Sequence, residues 1–441
     1  MSKTTSFLRS SRPRRSTEAA LVFLLALAVI SLGGCATSGA PAVDKASDAT
    51  PPAEALPISG LASDTAFDRL LASITETRAT YLGQGKEYMK TGSGGMSPAD
   101  VADGNRYLLH VLLQALMLEL ESDPKHPWLQ KIVTPWVKLG GDNADAIYHV
   151  TPVDGAQAYR VVGNTVGAVY TSITIEAGGE RGGYAGRIAG VINDTSYDVA
   201  ADGTFEVFVG GPERAKNWIE LPADASRISV RHYFEDDPPA ASVMEKRVPM
   251  FIEVLNPGPP PASPDDASIA AAIARVEKHF RSWTIDQPMP DPLPTWLSLT
   301  PNHLEPPLKP GTMAYAAQDA AYTQGPWAIA PDEALVMTGR WPEGRFGNVT
   351  IWNRYIQSFD YRSRNISLNR KQTVLEPDGS FKIILAHEDP GLPNWLDTAG
   401  RTSGSMFWRF MLPEGEIVTP KIEVVKFKDI ARPSPAARRP E

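Results

Sequence analysis

An internal repeat is the feature that most constrains the fold of this chain. Asp202-Gly203-Thr204-Phe205 is followed by Asn217-Trp218, 14 residues after its glycine, and by Arg231, 13 residues beyond that tryptophan. The second half carries the same three elements at spacings of 15 and 14, namely Asp378-Gly379-Ser380-Phe381, Asn394-Trp395 and Arg409. Self-similarity of this kind is the signature of a repeated structural unit. We expect two related β units, each with an Asp-Gly turn entering a strand, an Asn-Trp loop and an arginine on a late strand.

Period-two alternation supports the β interpretation. Residues 169–176 and 228–234 alternate between apolar and polar or aromatic side chains, and segments rich in Gly, Asn, Asp and Pro separate such runs. The 39 prolines and 35 glycines suit a protein rich in turns. The predicted fold is mainly β with helical decoration, built from tandem jelly-roll-like antiparallel β-sandwiches.

Three helices are predicted beside the sandwiches. Residues 65–82 repeat apolar positions near the helical period, and 265–283 form one amphipathic helix. Ser97-Pro98-Ala99-Asp100 is typical of a helix start, with a serine cap and an acid at the third position. The run that follows, 101–121, is apolar on most sides, so we expect this helix to be well buried.

The amino-terminal segment predicts export and lipidation. Five cations and one acid precede an apolar run from Ala19 to Ile30, which is too short to span a bilayer. Leu32-Gly33-Gly34-Cys35 resembles the lipobox of bacterial lipoproteins, and Cys35 is the single cysteine of the chain. We therefore expect a lipid anchor at Cys35 and no intrachain disulfide. We also expect no cofactor and no bound metal. Ala36 after the cysteine resembles the pattern of lipoproteins sent to the outer membrane, so we expect the protein to be anchored there and to face the periplasm.

The resulting domain prediction divides the chain into seven parts. They are a signal peptide at 1–34, a flexible tether at 35–57, a helical segment at 58–140, a first β-sandwich at 141–256, a proline-rich linker with one helix at 257–312, a second β-sandwich at 313–428 and a disordered tail at 429–441. Without residues 1–34, 38 basic and 50 acidic residues remain, a net charge of about −12. This charge disfavours nucleic acid as a partner.

The same motifs resemble a family of exported bacterial proteins known as domain of unknown function 1214, often seen with domain of unknown function 1254. The resemblance rests on segments in both halves, among them 105–109, 140–148, 230–234 and the long run 387–400. Ala144 and Asp236-Asp237 depart from the usual pattern. The resemblance implies tandem jelly-roll-like sandwiches with helical decoration, and it implies no activity.

The densest group of polar residues lies between 387 and 409. His387 and Asp389 are candidates for an acid/base pair, because two residues apart on an extended segment share a face. Asn394, Trp395, Asp397 and Arg409 could bind a sugar or a carboxylate, or could be structural. Since the Asn-Trp and Arg elements recur in both halves, the repeat favours an architectural role for them.

Three functions follow from these features. The favoured one is an envelope lipoprotein that binds a carbohydrate or small molecule, or serves as a scaffold. The alternatives are an enzyme that acts on an exported carbohydrate or small molecule through His387 and Asp389, and a structural subunit of an envelope complex.

Overall fold

The computed structural model describes residues 60–84, 96–287, 290 and 292–430. The predicted signal peptide, Cys35, the whole predicted tether and the tail beyond 430 lie outside the described residues. None of the helices in the described part of the chain combines the length and hydropathy needed to cross a membrane.

Three α-helices lie close to their predicted positions. They are α1 (Ala62–Gln84), α2 (Pro98–Ala115) and α3 (Asp266–Ser282). The predicted start of α2 is confirmed, because Ser97 and Asp100 form a reciprocal capping box. A π-helical turn, Leu116–Leu120, continues α2. The expectation that this helix is buried on most sides is wrong for one face, since Leu109 is 64% exposed.

The described part of the chain also contains seventeen β-strands and two short 3-10 helices, Ala240–Ser242 and Phe427–Asp429. The first half contains β1 (Gln130–Ile132), β2 (Ala146–Pro152), β3 (Tyr159–Asn164), β4 (Tyr170–Ala177), β5 (Arg187–Asn193), β6 (Thr204–Val209), β7 (Trp218–Ile219), β8 (Ala225–Tyr233) and β9 (Met250–Val254). The second half contains β10 (Ala320–Ala328), β11 (Glu333–Gly339), β12 (Phe346–Trp352), β13 (Ser367–Asn369), β14 (Phe381–Ala386), β15 (Trp395–Asp397), β16 (Ser403–Met411) and β17 (Lys421–Lys426). The predicted mainly β fold is confirmed.

Each half forms a sandwich of two sheets, and the two halves share one topology. The inner sheets have the orders β1-β2-β8-β4-β5 and β10-β16-β12-β13, and the outer sheets have the orders β7-β6-β3-β9 and β15-β14-β11-β17. Apart from the additional β1, the strands correspond one to one. Most pairs are antiparallel, but β7 and β15 each run parallel to the strand before them. The loop that carries the Asn-Trp motif returns the chain to the same end of the sheet, which explains this parallel pairing.

A separate apolar core fills each sandwich. Ile173 and Val230 of the first inner sheet meet Val161 and Val207 of the outer sheet. Trp408 is fully buried in the corresponding core of the second half. Because side chains alternate along a strand, the other face of each inner sheet points away from its own core. Those two faces meet each other through aromatic contacts, such as Tyr233 with Phe346 at 5.1 Å between ring centroids.

Candidate functional site: a cavity between the two inner sheets

A cavity of about 230 Å³ lies between the two inner sheets. Alternate residues of β8, including Ser229 and Arg231, form one side, and Phe407 and Arg409 of β16 contribute to the other. The π-helical turn after α2, the end of α3 and residues 313–317 complete the wall. The cavity is therefore assembled from both halves and the segment that joins them.

Aromatic side chains dominate the wall. They are Tyr148, Tyr184, Tyr233, Trp283, Trp296, Tyr315, Tyr322, Trp352 and Phe407. Several contact one another, as Tyr315 does with Trp283 at 4.7 Å between ring centroids. An apolar, aromatic cavity with a few polar groups has the character of a small-molecule site.

Arg227 is the first of three arginines in the wall. Its Nη2 atom lies 2.7 Å from Glu119 Oε1 and donates to His279 Nδ1 at 3.0 Å. The π-helical turn places Glu119 in this position, where the carboxylate is fully buried. Burial lowers the pKa of His279 to about 4, assisted by the charge of Arg227, so the imidazole is neutral at pH 7. Arg227 is thus paired with a carboxylate inside the fold.

Arg231 is the second arginine and is also paired. Its Nη2 atom lies 3.5 Å from Glu176 Oε1, and its Nη1 atom donates to Thr174 Oγ1 at 2.5 Å. Tyr315 joins the pair, because its backbone N–H donates to Glu176 Oε2 at 3.1 Å and its carbonyl accepts from Arg231 at 3.2 Å. Burial raises the pKa of Glu176, which the arginines oppose.

Arg409 is the third arginine and differs from the other two. Its Nη1 atom donates to Thr350 Oγ1 at 3.3 Å, and its Nη2 atom donates to the Gly141 carbonyl at 2.7 Å. The guanidinium lies 4.3 Å from the centroid of the Phe407 ring and 5.2 Å from that of Trp352. Over the ranges that the structure describes, no carboxylate oxygen lies within 4 Å of it.

Strand register shows that Arg231 and Arg409 are equivalent. Arg231 is paired with Tyr148 on β2 and with Ser172 on β4, and Arg409 is paired with Tyr322 on β10 and with Asn348 on β12. The same register makes Thr174 the counterpart of Thr350, Glu176 the counterpart of Trp352 and Ser229 the counterpart of Phe407. Arg231 and Arg409 each donate to the threonine of their own half, and these two threonines are equivalent. The acid Glu176 has no acidic counterpart in the second half, where Trp352 takes its position.

The structure places the two acid/base candidates in separate hydrogen-bond networks. His387 Nδ1 lies 2.8 Å from Thr398 Oγ1, and its Nε2 lies 3.2 Å from the Ala330 carbonyl. Asp389 Oδ1 accepts from the Gly391 N–H at 2.7 Å, an arrangement typical of a turn. Their catalytic role stays a prediction.

The Asn-Trp loops of the two halves have the same geometry. Asn217 and Asn394 both adopt left-handed backbone, with φ of 53° and 60°. Trp218 Nε1 donates to the Gly210 carbonyl at 3.0 Å, and Trp395 Nε1 donates to the Ala386 carbonyl at 3.1 Å. These bonds support the architectural interpretation of the loops.

Asp397 and Arg409 lie in different surroundings. Asp397 accepts from Arg364 at 2.6 Å and from the Ala399 N–H at 2.7 Å, at the edge of the outer sheet. Arg409 instead lines the cavity on the inner sheet. Ligand binding by Asn394, Trp395 and Asp397 stays a prediction, and the structure groups Arg409 with Arg231 and Tyr322 rather than with them.

A buried polar cluster adjoins the cavity at Asp142. Its carboxylate accepts from the backbone N–H of Ser358 at 2.7 Å and from that residue's hydroxyl, and burial raises its pKa. Lys138 Nζ donates to Ser358 Oγ at 2.8 Å, and burial lowers the pKa of this amine to about 8. These bonds join the segment before β2 to the second sandwich.

The sequence singled out Arg409 and Arg231, and the resemblance named the segments 140–148 and 230–234, but neither showed that these residues line one cavity. Tyr148, Tyr315 and Tyr322 lie far apart in the chain and belong to no shared motif. The signal available was the repeat itself, because it marks both arginines as inner-sheet residues. Their convergence depends on how the two sandwiches pack.

The fold and the cavity define a tandem β-sandwich protein with a site between its halves. Residues 330–415 match the family described as "Protein of unknown function (DUF1214)", which supports the resemblance for this part of the chain. The structure is similar to an uncharacterized protein from Burkholderia cenocepacia, with 27% identity, a TM-score of 0.67 and coverage of 83% of this chain and 98% of that one. The VPA0106 protein from Vibrio parahaemolyticus matches at 13% identity and a TM-score of 0.44, covering 74% of this chain and 98% of that one. No curated protein matches the chain significantly.

Proposed function

We propose that this protein binds a small, largely apolar molecule in the cavity between its inner sheets. The observation that carries the proposal is the combination of a cavity of about 230 Å³, aromatic walls and buried arginines. Sites of this kind enclose most of the ligand's surface, and a few polar groups fix its orientation.

The Asn-Trp loop of the second half is a less suitable binding site than the cavity, because its asparagine already forms hydrogen bonds with the backbone. Asn394 Nδ2 donates to the carbonyls of Val374 and Lys382 at 2.7 and 3.0 Å. Its Oδ1 accepts from the Val374 N–H at 2.8 Å. A sugar at this loop would compete with these bonds.

A cavity-filling variant tests the proposal. Ser229→Phe introduces into the first inner sheet the side chain that Phe407 carries at the equivalent position of the second. We expect native mass spectrometry of the purified protein, incubated with a library of small metabolites, to detect ligands bound one per chain. Ser229→Phe should abolish this binding, whereas Ser263→Phe, in the exposed linker, should retain it.

Two outcomes would contradict the proposal. One is a wild-type protein that retains no small molecule from the library. The other is binding that Ser229→Phe leaves unchanged although the variant is folded by circular dichroism.

We further propose that Cys35 anchors the protein to the outer membrane on its periplasmic side. The lipobox-like Leu32-Gly33-Gly34-Cys35 and the following Ala36 support this location. Labelled palmitate should be incorporated by the wild type in cells and not by Cys35→Ser. Equal labelling, or recovery of the wild type outside the membrane fraction, would overturn the anchor.

A further inference from the structure

The three arginines of the cavity wall differ in charge compensation. Arg227 and Arg231 have carboxylates at 2.7 and 3.5 Å. Arg409 occupies the position equivalent to Arg231, but Trp352 stands where the first half has Glu176. In the described ranges, Arg409 has no carboxylate within 4 Å.

We infer that the ligand carries a carboxylate and that Arg409 binds it; this inference rests on the proposed function. A guanidinium is charged at all accessible pH values, so burial without a counter-ion is costly. The two protein acceptors of Arg409, Thr350 Oγ1 and the Gly141 carbonyl, are both neutral. They engage two of its five N–H donors, and a carboxylate can accept two parallel bonds from such a group.

Asp142, the acid among the residues that line the cavity, has other partners. Its carboxylate accepts from the Ser358 N–H at 2.7 Å and from the Ser358 hydroxyl. Asp145 accepts from Asn348, Ser367 and Asn369 at 2.8 to 3.0 Å. The hydrogen-bond donors to both carboxylates are neutral groups. Burial raises the pKa of both acids, and the charge of Arg409 opposes this rise in both, as that of Lys138 does for the pKa of Asp142. Neither carboxylate forms a hydrogen bond or an ion pair within 4 Å with Arg409 in the described ranges.

The surroundings of Arg409 also indicate the rest of the ligand. Phe407 lies beneath the guanidinium at 4.3 Å, and Tyr322 is paired with Arg409 on the neighbouring strand. Rings at these positions favour an apolar body next to the charged group. The ligand class is therefore a small monocarboxylate with an apolar ring or chain.

Matched probes test the charge preference. Benzoate, 2-naphthoate and octanoate are each compared with their primary amides by isothermal titration calorimetry on the detergent-extracted full chain. At least one carboxylate should bind about ten- to hundredfold more tightly than its amide, the contribution expected of hydrogen bonds to a charged group. Arg409→Gln should bring the ratio of carboxylate affinity to amide affinity to about one. Arg160→Gln, which alters an outer-sheet arginine, should leave the ratio as in the wild type.

A second variant should increase the preference for carboxylates, a result that misfolding cannot produce. Glu176→Gln removes the carboxylate beside Arg231 while keeping an oxygen that can accept from the Tyr315 N–H. The additional uncompensated charge should raise the carboxylate-to-amide ratio by several-fold.

The failures of the two proposals are distinguishable. Amides that bind the wild type as tightly as carboxylates, a ratio that survives Arg409→Gln, or a ratio unchanged by Glu176→Gln would overturn the carboxylate inference. If the carboxylate inference fails in one of these ways but Ser229→Phe abolishes the binding of ligands from the metabolite library, the proposed function stands. If neither carboxylates nor amides bind the wild type and the metabolite library also yields no ligand, the proposed function fails and the inference fails with it.

Discussion

Glu176 and Trp352 occupy equivalent positions on β4 and β12, on the faces that the two inner sheets turn toward each other. The acid lies 3.5 Å from Arg231, and the tryptophan ring lies 5.2 Å from the guanidinium of Arg409. One repeated arginine is thus neutralised within the protein, whereas the other lies against aromatic rings.

The Arg231–Glu176 pair should be worth more to stability than an exposed pair. Glu176→Gln leaves a buried guanidinium without its carboxylate, so we expect a loss of about 3 kcal/mol in the free energy of unfolding. Glu253→Gln removes an acid that is 43% exposed beside Arg160, and it should cost less than about 1 kcal/mol. Urea denaturation measures both, and equal losses would contradict the burial argument.

The left-handed asparagine of the second half should stabilise its loop. Asn394→Ala removes three hydrogen bonds to the backbone and places alanine at a φ of 60°, so we expect a loss of about 2 kcal/mol. Asn394→Gly should recover part of this loss, because glycine adopts positive φ without strain. Melting temperatures of the wild type and both variants test this order of stability. A melting temperature of Asn394→Ala equal to or above that of Asn394→Gly would refute it.

Buried histidines should make the fold sensitive to mild acid. Burial lowers the pKa of His149 to about 4, with a further contribution from the Lys131 charge, whereas an unfolded histidine titrates near 6.5. Between these values the unfolded state binds a proton and the folded state does not, so stability falls as the pH drops from about 6.5 to about 4. Well above pH 6.5 this histidine is neutral in both states and contributes no pH dependence.

Replacing that histidine should flatten the pH profile. His149→Phe should reduce the slope between pH 6 and 4.5 by up to about 1.4 kcal/mol per pH unit. Urea unfolding at several pH values provides the measurement. His303→Gln changes an exposed histidine without altering the buried set, and it should leave the slope as in the wild type. Parallel profiles for wild type and His149→Phe would count against the buried neutral imidazole.

His387 should influence local stability without influencing the cavity. His387→Ala removes contacts with Thr398 Oγ1 and the Ala330 carbonyl, so we expect a loss of about 1 kcal/mol. The dissociation constants of the carboxylate probes should remain within about twofold of wild type. A large loss of binding or of an observed turnover, with an unchanged melting temperature, would instead support the acid/base hypothesis.

The sequence predicted the duplicated sandwiches because each repeated element depends on local structure. Asp202 and Asp378 each accept from the backbone two residues on, at 3.0 and 2.9 Å, which fixes the turns before β6 and β14. The helix starts were also readable, since the Ser97 cap depends on Asp100 three residues later. Such short-range interactions leave a pattern in a single sequence.

The cavity left no comparable pattern. Residues of β4 are buried on both faces, so alternation could not show which face meets the other sandwich. The difference between the two arginines was also hidden, because Glu176 precedes Arg231 by 55 residues and Trp352 precedes Arg409 by 57. Only the strand register reveals that these two neighbours are equivalent.

Joining both copies in one polypeptide has a consequence for the chemistry between them. In a symmetric dimer of identical subunits, each mutation would appear twice, and both arginines would keep the same neighbour. Covalent duplication lets the two copies diverge independently, so one half can retain an internal counter-charge while the other presents its cation against aromatic rings. The covalent link between the two copies therefore allows the cavity to be asymmetric. A cavity formed by two identical copies of either half would have the same residue beside both arginines.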